Sequence, residues 1–234
     1  MNRVFSIIIA LSFFISCDSG DIYPEDETPT GGVTVSAVFD FQNLETYPEN
    51  YEIIFGAFEE GKSYPTVSAI VEYPKLGEAN ISISHVPEDV TSLRLFLAKE
   101  SKGGKQTIYT FYEYPVASEL SEDIVISKQS IDLLQYQRIQ SQVFSQCVQC
   151  HGGSDRGAGA GLYLTEERSY DDLYNHISRN SDKKRVTPYE VGNSYLVDIV
   201  EDLEILPIHG TLSSLKNDDI VLLKEWIKSG AENN

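Results

Sequence analysis

Between Val33 and about Ser127 the apolar residues alternate with polar ones, and after Ser130 they recur at spacings of three and four. The first period belongs to strands with one buried face, the second to helices with one apolar stripe. The period-2 part is rich in Val, Ile, Thr, Tyr and Phe. It is cut by turn-forming residues at 43–50, 59–65, 74–77, 87–89 and 101–104. Strands are therefore predicted over 33–41, 51–58, 66–73, 79–85, 92–98, 106–114 and 123–127.

Seven short strands at this spacing resemble, in architecture alone, a two-sheet sandwich of the immunoglobulin or fibronectin type III kind over 33–127. His85, in Ile-Ser-His-Val-Pro, reads as a strand end. Tyr109, Phe111, Tyr112 and Tyr114 read as one face of a sheet or as a binding stripe for a glycan or protein.

Ahead of the strands, residues 1–17 have one basic residue, Arg3, then an apolar run through Ile15 that ends in Ser16 and Cys17. The run is shorter than the roughly 20 apolar residues that span a bilayer, and it reads as a secretory signal peptide. Its end resembles the cleavage box of bacterial lipoproteins, in which a small residue precedes the cysteine that is lipidated. The resemblance implies that Cys17 is a lipid anchor, which puts the protein in the cell envelope of a bacterium, at the outer membrane. The other reading is an ordinary cleaved signal with an incidental thiol. Residues 18–32 are acidic and poor in apolar side chains, so they read as a tether.

A net charge of -18, from 36 Asp+Glu against 18 Lys+Arg, excludes a nucleic-acid binder. The basic exception is Lys183-Lys184-Arg185, either a docking point for an electron-transfer partner or a solvated loop.

The chemistry lies in the last hundred residues. Cys147-Val-Gln-Cys150-His151 is the haem c attachment pattern. Cysteines three apart lie on one helical turn, so each reaches a vinyl group of the porphyrin, and the histidine after them is delivered to the iron. A zinc site would need further donors, and a thioredoxin-like pair would sit between a strand and a helix.

With that motif, residues 130–234 resemble a mono-haem c-type cytochrome domain, which implies an all-α cytochrome c-like fold after the β part in a multidomain chain. A helix over 130–145 carries Leu134, Ile139, Val143 and Phe144 and leads into Cys147. A glycine-rich stretch, Gly152 to Gly161, is expected along the haem edge. Further helices are signalled around Tyr170 to Ile177 and after Asn193. A last one, opened by Asn217, Asp218 and Asp219 and closed at Gly230, carries Trp226 opposite Phe144.

The family commonly places a Met-Pro pair before the last helix, and that Met is the second axial ligand. Here Leu206 precedes Pro207, and the chain's 1 Met is Met1. Three histidines remain besides His151: His85, His176 and His209. His209, in the ligand loop and followed by Gly210, is the candidate distal ligand, with His176 and an open iron as alternatives. Histidine in place of methionine implies a lowered potential.

The expected function is a membrane-anchored haem c protein that transfers single electrons to an unidentified redox partner. No catalytic base or nucleophile is apparent, and peroxide or gas chemistry would require an open sixth position. The alternative is a surface binding module whose haem part is structural or a sensor.

Overall fold

A computed structural model describes residues 32–234 apart from 103, 118–119, 154–157, 203–204, 206–208 and 210–214. The signal peptide, Cys17, nearly all of the tether and the Leu206-Pro207 pair lie outside the described residues. Residues 31–234 form one compact unit.

Seven strands make two sheets. β1 (Val33–Gln42), β4 (Glu78–Val86) and β7 (Ile124–Asp132) form one, in the order β4-β1-β7. β2 (Glu52–Glu59), β3 (Val67–Ile70), β5 (Val90–Ser101) and β6 (Gly104–Pro115) form the other, in the order β3-β2-β5-β6. Strict alternation in β1 turns Val35, Ala37, Phe39 and Phe41 inward. There they meet Ile53, Phe55, Leu93, Leu95 and Leu97 of the second sheet in one core. β2 does not alternate, because both of its faces are covered. Phe55 and Ala57 enter that core, while Ile54 and Phe58 pack with Phe96 and Ala98 on the other side.

The last strand determines where the helical part begins. β7 pairs in parallel with β1, from Val35 opposite Ile124 to Gln42 opposite Asp132. The expected helix over 130–145 consequently loses its first residues to the sheet, and α1 runs only over Tyr136–Gln142. Then come α2 (Val148–His151), α3 (Ser169–Leu173), α4 (Tyr195–Glu201) and α5 (Asn217–Lys228). The last ends as Gly230 and Ala231 predict. Gly230 has φ 117, its N–H donates to Ile227 O at 3.1 Å, and that of Ala231 donates to Trp226 O at 2.8 Å. These paired bonds satisfy carbonyls that would otherwise be left at the helix end.

The expectation of a multidomain chain, an immunoglobulin or fibronectin type III-like sandwich followed by an all-α cytochrome c-like domain, is corrected by the structure. Among the described residues strands take 37% and helices 26%, and no large all-α domain is present. Of these five α-helices of the described residues, four have seven residues or fewer. The physical reason is local. The pattern Tyr170, Leu173, Tyr174, Ile177 is helical in spacing, but Asn175 adopts φ 59 and the chain turns back. Isolated bridges Tyr174 to Val186, Ile177 to Lys184 and Lys184 to Ser194 then hold 174–194 without a helix.

A polar junction ties the sheets to the helices. Asp218 accepts from the backbone N–H groups of Glu49 and Asn50 at 2.8 and 2.7 Å. Asp219, fully buried, accepts from the Tyr51 hydroxyl at 3.0 Å, Gln142 Nε2 at 2.7 Å and Lys216 N at 2.8 Å. Arg138, also fully buried, donates to Leu133 O, Thr46 O and Gln142 Oε1. Burial lowers the Arg138 pKa to about 10, with Asp218 and Asp219 opposing the shift. Tyr109 and Phe111 of β6 also meet this region, through Gln135 and Arg138. That occupies part of the aromatic stripe read as a binding surface.

Candidate functional site: a cleft around the Cys-X-X-Cys-His turn

The helical part packs around Tyr136, whose ring meets Phe144, Trp226 and Tyr170 with centroids 6.3, 5.2 and 5.2 Å away. Phe144 and Trp226 thus share a core through Tyr136. This core fixes the turn next to it. Phe144–Gln146 forms a single 3-10 turn, Cys147 N donates to Phe144 O at 2.8 Å, and His151 N donates to Cys147 O at 2.9 Å. Cys147, Cys150 and His151 are brought to one side of a single turn.

That side is one wall of an open cleft with a cavity volume of about 170 Å³. Its other walls come from Leu162, Leu164 and Leu173, from Tyr195, Leu196, Ile199 and Val200 of α4, and from His209 and Leu215. Cys147 is half-buried and Cys150 exposed. Burial, with Asp219 and Cys150 adding to it, pushes the Cys147 thiol up to about 11, so it is a neutral thiol at physiological pH.

His151 and His209 both line the cleft, their ring centroids 6.2 Å apart and their planes inclined by 31°. His151 Nδ1 lies 3.0 Å from Leu162 O, which fixes the ring and leaves Nε2 for another partner. His209 Nδ1 is buried and has no hydrogen-bond partner among the described residues. A buried polar atom left in this state costs about 1–3 kcal/mol. Burial and the neighbouring His151 both lower the His209 pKa, which favours the neutral imidazole.

His176 is exposed, outside the cleft, and only its backbone carbonyl is engaged, by Arg185 N at 2.7 Å. His85 is exposed near the end of β4. Of the glycine-rich stretch, Gly159–Gly161 forms a turn against the motif: a Cβ at Gly159 would lie 3.3 Å from His151 Cε1. The basic triplet does not form an open patch. Lys183 Nζ pairs with Asp198 at 2.8 Å, Lys184 Nζ donates to Asn175 Oδ1 at 3.0 Å, and Arg185 turns into the cleft. Sequence reasoning passes over Arg179 and does not place Tyr195 in the cleft. Neither stands in a motif, and only the fold of 174–196 brings them to it.

Among the described residues no group of three or more His, Cys, Asp or Glu side chains gathers as a metal site.

No protein-family model matches the chain, and no curated protein matches it. Among solved structures it is similar to a 9R-lipoxygenase from Cyanothece PCC8801, at 12% identity and a TM-score of 0.28, over 45% of this chain. The chain spans 17% of that protein's length, a likeness too slight to bear on fold or function.

Proposed function

We propose that this chain is a haem c protein that carries single electrons in a bacterial cell envelope, held to the membrane by a lipid on Cys17. The observation that carries the reading is the closeness of two imidazoles beside the Cys-X-X-Cys turn. A histidine nitrogen bonds a first-row metal ion at about 2.0–2.1 Å, so two rings this near would be able to hold one ion between them. The centroids of His151 and His209 are 6.2 Å apart.

In this reading Cys147 and Cys150 would hold the haem as thioethers, each S–H adding across one vinyl group so that sulfur and proton go to its two carbons, and His151 and His209 would hold the iron. The haem supplies a one-electron iron couple. The chain's residues set how it is used: Leu162, Leu164, Leu173 and Leu196 exclude water from the ring face, and the Leu162 carbonyl holds His151 in place. Two protein ligands leave no position for a substrate, and the exposed Cys150 puts the attached edge near solvent, where an electron can pass to a partner.

When the chain is produced together with a haem-attachment system, the denatured protein should keep its colour through acid-acetone extraction. Cys147→Ser with Cys150→Ser should abolish covalent haem. Free haem in the extract of the wild-type protein would sink the reading.

The anchor is tested separately. Cys17→Ser should move the protein from the detergent phase to the aqueous phase, or leave the precursor unprocessed. A mature Cys17→Ser protein that still partitions with detergent would contradict it. Among the described residues no helix is long and apolar enough to cross a membrane.

A further inference from the structure

The cleft departs from the charge of the rest of the chain. The sequence has twice as many Asp+Glu, 36, as Lys+Arg, 18. Yet among the described residues no carboxylate lines the cleft, while Arg179 and Arg185 both do.

Both guanidiniums gather on Gly161. Arg185 donates to the Gly161 carbonyl at 3.2 Å and to the Asp172 carbonyl at 2.7 Å, and its side chain is only 12% exposed. Arg179 lies so close over Gly161 that a Cβ there would sit 2.4 Å from its Cζ. Gly161 has φ +64, a conformation that favours glycine.

Two neighbouring cations repel. Burial lowers the Arg185 pKa, and Arg179 lowers it further against the pull of Asp172. Asp172 stands 4.0 Å from Arg185 and is shared with Arg168 at 3.7 Å. Arg179 makes no ion pair or hydrogen bond among the described residues. The other titratable groups described on this cleft are His151, His209, Tyr195 and the two cysteines. Among the described residues Asp172 is the one carboxylate beside the pair, Arg179 is exposed, and the pair borders a space whose remaining walls are largely apolar.

We propose that Arg179 and Arg185 receive the two propionate carboxylates of the porphyrin, and so orient the ring whose vinyl groups meet Cys147 and Cys150. The assignment rests on the haem reading above. It matches an apolar ring with two acidic groups on one edge to a wall with cationic groups at one side. Arginine suits the task because its planar fork donates two parallel hydrogen bonds to one carboxylate.

Two measurements test it. The first uses the holoprotein and follows the midpoint potential from pH 5 to 8. An adjacent guanidinium lowers a carboxyl pKa by about 1–3 units. The wild-type potential should accordingly be nearly flat over this range. Arg179→Gln with Arg185→Gln should raise the propionate titration by about 1–3 units, giving a pH-dependent potential. The same variant should have a lower potential than wild type at pH 7, because removing positive charge favours the ferric state. Arg185→Lys should recover part of the flat profile. An unchanged potential and profile in the double glutamine variant overturns the assignment.

The second measurement removes covalent attachment with Cys147→Ser and Cys150→Ser and compares binding of haemin with that of its dimethyl ester. Haemin should bind about tenfold tighter or better, since charge-assisted hydrogen bonds contribute about 1.5–3 kcal/mol. Adding Arg179→Gln and Arg185→Gln should remove the preference. Equal binding of both porphyrins overturns the arginine assignment and leaves the haem reading intact; binding of neither overturns the haem reading itself. Inorganic phosphate provides the control for a free anion. Competition by phosphate at the arginine pair in the haem-loaded protein would show that the propionates do not occupy it, and would overturn the proposal.

Discussion

His209→Ala is expected to turn a low-spin haem into a high-spin one and to let the reduced protein bind carbon monoxide, while His176→Ala changes neither property. The contrast comes from position. His209 lies beside His151 at 6.2 Å between centroids, with a buried nitrogen that has no partner among the described residues. His176 is exposed and away from the cleft. Thioether bonds to Cys147 and Cys150 would keep the haem attached in either variant, so loss of a ligand is not confused with loss of the cofactor. His209→Met should raise the reduction potential if the sulfur reaches the iron, since thioether ligation favours the ferrous state. Absorption spectra of both oxidation states and spin resonance decide the matter. A low-spin spectrum that survives His209→Ala transfers the role to another donor. A wild-type protein already high-spin would revive peroxide or gas chemistry, because the sixth position would be open.

The turn that brings Cys147, Cys150 and His151 together is legible in the sequence because the motif is contiguous. Five residues from Cys147 to His151 occupy one turn, and that geometry needs no knowledge of the rest of the chain. His209 is also within reach of sequence reasoning, through the absence of any methionine after Met1. The cleft is not legible. Its lining runs from Gln146 to Leu215, and Arg179 reaches it only because Asn175 turns the chain and three single bridges hold the return. None of these features has a period. The strands are readable where one face is solvated, as in β1, since alternation then survives in the sequence. What one face of a sheet cannot reveal is its neighbour. The parallel pairing of β1 with β7 joins residues about 90 apart and leaves no local sign. It also explains why an apolar pattern at helical spacing after Ser130 does not make one long helix. Leu133 and Leu134 are buried because the chain leaves a strand there, and Ile139, Val143 and Phe144 because a short helix comes next.

Asp219→Ala is expected to cost more stability than any change in the cleft. The carboxylate is fully buried and accepts from the Tyr51 hydroxyl, Gln142 Nε2 and Lys216 N, which belong to three separate parts of the chain. Its removal strands those donors and withdraws negative charge from the neighbourhood of Arg138, itself fully buried and dependent on the opposing charges of Asp218 and Asp219. Breaking a buried charged arrangement by deleting one partner costs about 3–5 kcal/mol. In a chain of this size each kcal/mol lowers Tm by roughly 2–4 °C, so the fall should be on the order of 10 °C. Asp219→Asn keeps an oxygen acceptor and loses the charge, and should fall between wild type and the alanine variant. Arg138→Met with Asp219→Asn should recover part of the loss, because the cation left without its counter-charge is then absent. Urea unfolding of the four proteins measures this directly. A loss below about 1 kcal/mol for Asp219→Ala, the value of an ordinary exposed pair, would mean that the sheets and helices do not depend on this junction for their union. A full loss with recovery in the double variant would place the coupling in the charge itself, and not merely in the hydrogen bonds that surround it.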